Sequence, residues 1–335
     1  MTLALAVDGG ASKTDLALLT ADGELLSLVR GPLSSPHHVG LDASLDVLDR
    51  LLDDALRHAG LERDGKPVAE VGRVLMAGAD LPTEETALQA AAERRGWAER
   101  LRAGNDTLAV LRAGTERGWG VAVVCGSGIN CVGVGPDGTQ ARFPALGLIS
   151  GDWGGGYDVG LAGLTAAARA GDGRGPTTAL ETSVPAHFGF ATPLELAEAI
   201  HLGRVERARL GELARVVWAE CAAGDHEACS IVDRLAFEVL AFARAVIQRL
   251  GLRDEPVEVV LGGTLLRTAP PHLLERVRAG LALVAPHATA VVPESPPIAG
   301  AALLALDDLA AGEDAKARAR GALTEAAARL ADGDG

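Results

Sequence analysis

An apolar run over residues 3–7 ends on an aspartate and two glycines, in the stretch LALAVDGGASKTDLALL. Residues 3–7 and 16–19 are each typical of an interior strand, so residues 8–14 are predicted to form a tight turn between two buried strands. Burying an unpaired carboxylate at such a strand end is costly, and Asp8 therefore requires a partner. The glycines Gly9 and Gly10 would let that partner approach the backbone closely.

The rest of the chain alternates between strand-like and helical runs. A third strand follows the Asp22-Gly23 turn, leucines then recur at helical spacing from residue 41 to residue 56, and a strand over 73–76 precedes a helix over 83–95. The pattern restarts at GVAVVCGSGINCVGVG, which begins at residue 120, and helices are expected after it over roughly 156–170, 193–201, 205–223 and 227–250. We therefore expect an α/β protein with an N-terminal domain over 1–118, a C-terminal domain over 119–310, and a terminal helix and tail over 311–335.

The charge balance excludes several classes of partner. With 31 basic and 45 acidic residues the net charge is −14, so the chain lacks the basic field that nucleic acids or anionic membranes attract. The first apolar stretch is interrupted by Asp8 and lacks a basic leader, and no segment reaches the roughly 20 apolar residues of a membrane span. We expect a cytoplasmic protein that binds neither nucleic acid nor membrane.

The cysteines do not form a recognisable metal site. Cys125, Cys131, Cys221 and Cys229 are scattered and contain no C-x-x-C pair, which argues against zinc and iron–sulfur centres. The sequence therefore predicts four buried, reduced thiols.

Residues 8–14 have the composition of a phosphate-binding turn. Ser12 and Thr14 can donate hydrogen bonds to phosphate oxygens, and Lys13 can add a positive charge. The turn is not a Walker A loop, because no glycine precedes Lys13 at the required spacing. An ordinary polar hairpin is the alternative, but it would not require a buried Asp8.

Two later stretches also place glycines next to buried strands. Residues 126–128 are Gly-Ser-Gly between two strands, and residues 259–266, VVLGGTLL, run from a strand into a helix. The first could bind phosphate, and the second could let an adenine or ribose lie against the backbone. Taken singly, the first could equally be a plain hairpin, and a simple glycine-rich turn is the alternative for the second. The nearby GVGPDG is a turn that opens no helix, so no dinucleotide site is expected there.

These turns, together with AGNDTLAVLRAG and GDWGGGYDVG, resemble a known group of proteins. The order of the motifs is similar to that in the hexokinase–actin–heat-shock chaperone ATPase superfamily. Within it, the chain resembles the BadF/BadG/BcrA/BcrD-type ATPase family, and in particular its N-acetylglucosamine kinase branch. The resemblance implies two ribonuclease-H-like (actin-like ATPase) domains with an interdomain cleft, and it implies a homodimer.

The resemblance also implies an activity, namely ATP-dependent phosphorylation of the 6-hydroxyl of N-acetylglucosamine or a related amino sugar. Asp106 would be the general base, although an aspartate at this position could also be the N-cap of a helix over 107–113. Asp8 would hold Mg²⁺, and this ion would be the partner that the buried carboxylate requires. The implied ATP-binding residues are Gly9, Gly10, Ser12, Lys13, Thr14, Gly126, Ser127, Gly128, Gly262, Gly263 and Thr264.

The sugar would be bound by residues from several motifs. The implied set is His37, His38, Gly78, Asn105, Asp106, Ser127 and Asp152. The two histidines belong to the loop PLSSPHHVG over residues 32–40, where simple solvation is the alternative role. Trp153 departs from the pattern, because the kinases usually have Glu at this position. Its ring could stack on a sugar or fill the pocket.

Two other functions remain as alternatives. One is an ATP-hydrolysing activator of a partner enzyme, similar to the dehydratase activators of the same family. The chain has no counterpart of the cysteine motif with which those activators bind an iron–sulfur cluster. The other alternative is a binding sensor with a degenerate site, which the intact Asp8, Lys13 and Asp106 disfavour.

Overall fold

The structure is a computed structural model that describes residues 1–65 and 67–333. The chain divides into two compact units, one made of residues 1–120 together with the segment from 293 onward, the other of residues 121–292. Each unit contains one five-stranded sheet.

The strands lie at the positions where apolar runs alternate with turns. They are β1 (Leu3–Gly9), β2 (Lys13–Thr20), β3 (Leu25–Pro32), β4 (Ala69–Met76), β5 (Ala98–Asn105), β6 (Gly120–Cys125), β7 (Ile129–Val134), β8 (Gln140–Arg142), β9 (Glu258–Gly262) and β10 (Thr289–Val291).

Helices connect and cover the sheets. They are α1 (Pro36–Val39), α2 (Leu41–Ala59), α3 (Pro82–Arg95), α4 (Thr107–Gly114), α5 (Gly156–Gly171), α6 (Leu180–His187), α7 (Pro193–His201), α8 (Ala214–Ala222), α9 (His226–Arg249), α10 (Gly263–Arg267), α11 (Pro271–Val284), α12 (Pro297–Asp308) and α13 (Glu313–Asp332). Short 3₁₀ helices occur at Gly147–Ile149 and Arg207–Leu213.

The two sheets share one topology. The first has the order β3-β2-β1-β4-β5, and the second, β10-β9-β6-β7-β8, has the same order read from the other edge. In the first sheet β1 to β3 are antiparallel neighbours, whereas β1, β4 and β5 run parallel. In the second, β9 runs parallel to both β6 and β10. The predicted α/β fold with two similar halves is thereby confirmed.

Both faces of the first sheet are covered, and strand alternation determines which side chains meet which helices. Leu5 and Val7 of β1 belong to a core that includes residues of α2 and α3, such as Leu48 and Leu88. The intervening Ala6 faces a second core built with α12 and α13. The domain bounds expected from the sequence placed α12 with the second half, whereas the structure groups it with the first unit.

Several elements differ from the sequence expectation. The helix expected over 205–223 is a 3₁₀ helix, Arg207–Leu213, followed by α8, and Gly211 lies within the 3₁₀ segment. Glycine is a poor α-helix former, which accounts for the tighter turn there. The elements α6, β10 and α12 have no counterpart among the predicted ones, because they are short or consist of nearly uniform small apolar residues. Residues 334 and 335 of the expected tail lie outside the described residues.

The prediction of four reduced cysteines is wrong for one pair. Cys221 at the end of α8 and Cys229 in the first turns of α9 form a disulfide, because the reversal between the two helices brings their Cα atoms to 4.5 Å. Cys125 and Cys131 are free and buried, as expected. Burial raises the pKa of both thiols, so they behave as apolar core residues.

Across residues 1–65 and 67–333, none of the helices combines the length and apolar character that crossing a bilayer requires.

Close packing of α12 on α4 gives a test of the first unit. A Cβ atom on Gly300 would lie 1.8 Å from the carbonyl oxygen of Ala109, a backbone atom that cannot move aside alone. We expect Gly300→Ala to lower the free energy of unfolding by about 1–3 kcal/mol, measured by urea denaturation. The matched control is Gly321→Ala in α13, where a Cβ would meet nothing within 4 Å. This control should be stabilising by about 0.5–1 kcal/mol. Equal changes in the free energy of unfolding for Gly300→Ala and Gly321→Ala would contradict the close packing of α12 on α4.

Candidate functional site

The carboxyl ends of three parallel strands meet at one edge of the first sheet. Gly9 at the end of β1 is paired with Met76 of β4, and Met76 is paired with Asn105 of β5. The chain leaving each strand is held at this edge by backbone bonds from Ala77 N to the Gly9 oxygen, 2.7 Å, and from Asp106 N to the Met76 oxygen, 3.3 Å. The sequence motifs around Asp8, Gly78 and Asn105 are therefore brought together, at the strand ends where α/β proteins bind ligands.

The turn after β1 is tight and exposes two of the three predicted phosphate-binding side chains. Gly10 N donates to the Lys13 oxygen at 2.9 Å, and the side chains of Ser12 and Lys13 are exposed. Thr14 is buried, with its hydroxyl donating to the Pro32 oxygen at 2.8 Å. The Thr14 hydroxyl thus faces the protein interior, whereas the sequence predicts that it donates to phosphate.

Three carboxylates, those of Asp8, Asp15 and Asp106, lie close to this turn. Asp15 is buried and accepts two hydrogen bonds from the Arg30 guanidinium, at 2.7 and 3.0 Å, so its charge is matched locally. The pKa of Asp8 is raised to about 8, first by burial and then by the negative charges of Asp106 and Asp15, with Lys13 and Arg30 offsetting part of the effect. The environment of Asp8 therefore carries excess negative charge, which a cation would relieve.

This donor set fits a magnesium ion. Mg²⁺ prefers carboxylate and phosphate oxygens and is usually held in proteins by one or two carboxylates together with substrate phosphates. Asp8 lies at the base of a turn with exposed backbone and hydroxyl groups, and it is destabilised as an anion when no cation is bound. The residues present are thus compatible with the predicted Mg²⁺ site at Asp8.

Asp106 precedes α4 but does not act as its cap. Its side chain makes no capping hydrogen bond to the helix. Instead, the neighbouring Asn105 accepts a hydrogen bond from the backbone N–H of Thr107 at 3.0 Å through its Oδ1 atom. The capping role that the sequence left open for Asp106 is therefore performed by the preceding residue.

Asn105 is also anchored by residues that the sequence analysis missed. Its side chain is 1% exposed, and Nδ2 donates to Asp80 Oδ1 at 2.8 Å. Glu84 accepts the backbone N–H groups of Asp80 and Leu81 at 3.0 and 2.9 Å. Glutamate at the third position of a helix that starts with proline is a recognisable capping signal, and it could have identified Glu84 from the sequence.

The loop of the two histidines folds onto the same edge. Pro36–Val39 forms the single turn α1, and His37 Nε2 lies 2.7 Å from Glu84 Oε1. Gly78 has a φ of +84°, and a Cβ there would lie 2.9 Å from both His37 Cγ and Ser35 Oγ. The predicted sugar residues His37 and Gly78 are thus in contact. Both His37 and the neighbouring His38 are exposed on this turn.

The second unit brings its two glycine-rich turns together in the same way. Residues 126–128 connect β6 to β7, and Gly126 N donates to the Gly128 oxygen at 2.9 Å. Val124 of β6 is paired with Gly262 of β9. Gly263, with a φ of +82°, leaves no room for a side chain, because a Cβ would lie 2.2 Å from the Cys125 oxygen. Thr264 follows as an exposed residue in the first turn of α10.

Asp152 and Trp153 lie in the loop before α5. Asp152 is buried and accepts a hydrogen bond from the Ser150 hydroxyl. The Trp153 ring is covered by Arg234, whose guanidinium carbon lies 4.0 Å from the ring centroid, and it is only 7% exposed. Of the two roles considered for this ring, the structure favours filling space over stacking on a sugar.

Comparison with known proteins agrees with this arrangement. The family model described as the BadF/BadG/BcrA/BcrD ATPase family matches residues 5–305. The chain is 27% identical over 269 residues to an N-acetylmuramic acid/N-acetylglucosamine kinase from Clostridium acetobutylicum, which covers 79% of this chain and 86% of the relative. It is 25% identical over 313 residues to an N-acetyl-D-glucosamine kinase from Dictyostelium discoideum. This alignment covers 90% of this chain and 97% of that relative.

Among solved structures, the fold is similar to that of a Chromobacterium violaceum protein assigned as an N-acetylglucosamine kinase. The TM-score is 0.69 at 24% sequence identity, and the alignment covers 91% of this chain and 99% of the other.

The titration of Asp8 predicts a pH-dependent stability. The folded-state pKa of about 8 lies above the ordinary value of 3.8, so the bound proton stabilises the folded protein fully below pH 3.8. This contribution is lost as the pH rises through 8. In EDTA, the melting temperature of the wild type should fall relative to that of Asp8→Asn between pH 5 and pH 9. Added Mg²⁺ should restore the wild type alone at pH 9. Parallel melting curves for the two proteins would contradict the assignment.

Proposed function

Because the chain belongs to the BadF/BadG/BcrA/BcrD ATPase family, we propose that it is an ATP-dependent kinase that phosphorylates the 6-hydroxyl of N-acetylglucosamine or a related amino sugar. The observation that carries this proposal is the placement of Asp8 and Asp106 at one edge of the sheet, where burial and then the charge of Asp106 raise the pKa of Asp8. Two relatives named as kinases of N-acetylglucosamine or N-acetylmuramic acid, which align with most of the chain, support it.

Asp106 is the proposed general base. It would accept the proton of the sugar hydroxyl as that oxygen attacks the γ-phosphate of ATP. Asn105, immobilised by Asp80 and by its bond to Thr107, fixes the start of α4 and so the backbone position of Asp106. Because the Asp106 side chain does not cap α4, its proposed role does not compete with helix formation.

Asp8 would hold the magnesium ion, directly or through water. When bound, Mg²⁺ neutralises charge on the transferred phosphoryl group and orients it. The residues of this chain would then divide the remaining tasks. Exposed Ser12 and Lys13 would bind phosphate oxygens, and the turns at 126–128 and 262–264 would bind the rest of the nucleotide.

The cysteines disfavour the alternative of a dehydratase-type activator. Cys125 and Cys131 are buried inside β6 and β7, and Cys221 is bonded to Cys229. None of these four thiols is placed to ligate a surface iron–sulfur cluster. A partner-activating ATPase would also hydrolyse ATP without a sugar, so the rate of ADP release in the absence of sugar distinguishes the two functions.

Replacement of the proposed base is the direct test. Asp106→Asn and Asp106→Ala should lower sugar-dependent turnover by a factor of about 10² to 10⁴, with ATP affinity largely retained, because only proton transfer is lost. The measurement is ADP release with Mg²⁺–ATP and N-acetylglucosamine, N-acetylmuramic acid, N-acetylmannosamine, glucosamine, glucose or no sugar.

The control for this experiment is Asp314→Asn, which changes an exposed carboxylate in the first turn of α13. It should leave turnover unchanged. Near-normal turnover in the Asp106 variants would refute the role of this residue. A wild-type rate indifferent to every sugar would refute the kinase itself.

The nucleotide-binding role of residues 126–128 has a separate test. A Cβ on Gly128 would meet nothing within 4 Å, so Gly128→Ala should fold normally and place a methyl group where phosphate is proposed to approach. We expect the KM for ATP to rise about tenfold, as lost backbone hydrogen bonds predict, and the KM for the sugar to stay constant. Gly321→Ala is the control. An unchanged KM for ATP would exclude a close approach at this turn.

A further inference from the structure

We propose that Glu84 is a positioning residue that fixes the tautomer of His37, so that Nδ1 of His37 accepts a hydrogen bond from a sugar hydroxyl. This inference rests on the proposed function and adds to it a specificity-determining pair. The sequence offers either His37 or His38 as the sugar ligand. The contacts of His37 with Glu84 and Gly78 distinguish it from His38.

Glu84 is held in place by the backbone rather than by chance contact. Its Oε2 atom accepts the N–H groups of Asp80 and Leu81, while Oε1 lies 2.7 Å from His37 Nε2. Burial acts to raise the pKa of Glu84, but the hydrogen bonds from Leu81 and His37 outweigh it and lower the pKa overall. Glu84 is therefore an anion at neutral pH and can only accept hydrogen bonds.

The charge of Glu84 determines where the imidazole proton lies. An ionised carboxylate requires a donor, so Nε2 of His37 carries the hydrogen and Nδ1 of the neutral ring is left as an acceptor. Nδ1 lies on the side of Gly78, 3.1 Å from the position that a Cβ of that residue would take. Glycine at this position keeps the Nδ1 edge open, and a hydroxyl is the sugar group that donates to such an acceptor.

The same network connects the imidazole to the proposed base. Glu84 holds the backbone of Asp80, Asp80 accepts from Asn105, and Asn105 precedes Asp106. His37, Asp80 and Glu84 also bring their potential ligand atoms within 4.8 Å of one another. However, oxygens of Asp80 and Glu84 already accept N–H groups, so these residues form a hydrogen-bonded network and are not interpreted as a metal site.

The decisive variant is Glu84→Gln. The amide oxygen of glutamine can still accept the two backbone N–H groups, but its NH₂ group would then face His37 and require Nε2 to be an acceptor. The hydrogen of His37 would move to Nδ1, and the acceptor for the sugar would become a donor. At pH 8.5 we expect the KM for the sugar to rise about 3- to 10-fold, the effect of one lost hydrogen bond. The kcat and the KM for ATP should stay within about twofold.

His37→Ala should raise the KM for the sugar by a similar factor, and the double variant should be no worse than the more affected single variant, because the two residues act through one hydrogen bond. The matched control is Glu212→Gln in the second unit, where Glu212 similarly contacts His187 Nε2 at 3.1 Å. This control should leave the kinetics unchanged. KM effects that add in the double variant, or a loss confined to kcat, would overturn the proposal.

A spectroscopic measurement tests the tautomer without any activity. Long-range ¹H–¹⁵N spectra should show His37 protonated at Nε2 in the wild type and at Nδ1 in Glu84→Gln, with the His37→Ala spectrum assigning the signals. An unchanged tautomer in the glutamine variant overturns the inference even if the protein is a kinase. If the tautomer changes but no sugar is phosphorylated, the proposed function fails and the dyad stands only as a structural pair.

Discussion

The burial of Asp8 beside the negative charges of Asp106 and Asp15 is the constraint on which this edge of the first sheet depends. Parallel pairing of β1, β4 and β5 makes three strands end at one level, and this brings the carboxylates of Asp8 and Asp106 near each other. Such a placement lowers stability unless a cation or a proton is present. Lys13 and Arg30 offset only part of the cost, and Arg30 also donates two hydrogen bonds to Asp15. The unit is thus built to hold unfavourable charge at the place where phosphate chemistry is proposed.

Around this pair the protein keeps the supporting groups rigid. Asn105 is buried and hydrogen-bonded on both sides of its amide, and Glu84 joins the start of α3 to the histidine loop. The Thr14 hydroxyl, expected to face phosphate, instead ties the turn to the Pro32 segment. Preorganisation of this kind lets a few polar groups act without rearrangement when charge develops. The second unit uses backbone rather than charge, since its turns pack main chain on main chain at Gly263 and Cys125.

How far the sequence predicts this structure depends on the kind of signal. Motifs with a local physical meaning are predicted well: the glycine turns, the strand that leads into Asp8 and the helix after Asp106 all lie where their residues indicate. The sequence does not predict to which domain α12 belongs, because the alanines and leucines of Pro297–Asp308 could cover either sheet. The Cys221–Cys229 bond depends on a helix reversal, and Asp80 and Glu84 enter the site only through the register of β4 and β5. The capping role of Glu84 has a local sequence signal, but its contact with the distant His37 has no signature in a single sequence.

The discontinuity of the first unit has a consequence for synthesis of the chain on the ribosome. The second unit is continuous, so it can complete its core while the C-terminal segment is still being made. The first sheet, although translated earlier, keeps the face containing Ala6, Leu19 and Leu75 uncovered until α12 and α13 emerge. This apolar face is consequently the part of the nascent protein with the longest exposure to chaperones and to aggregation, and truncations near the C-terminus should harm the N-terminal half first.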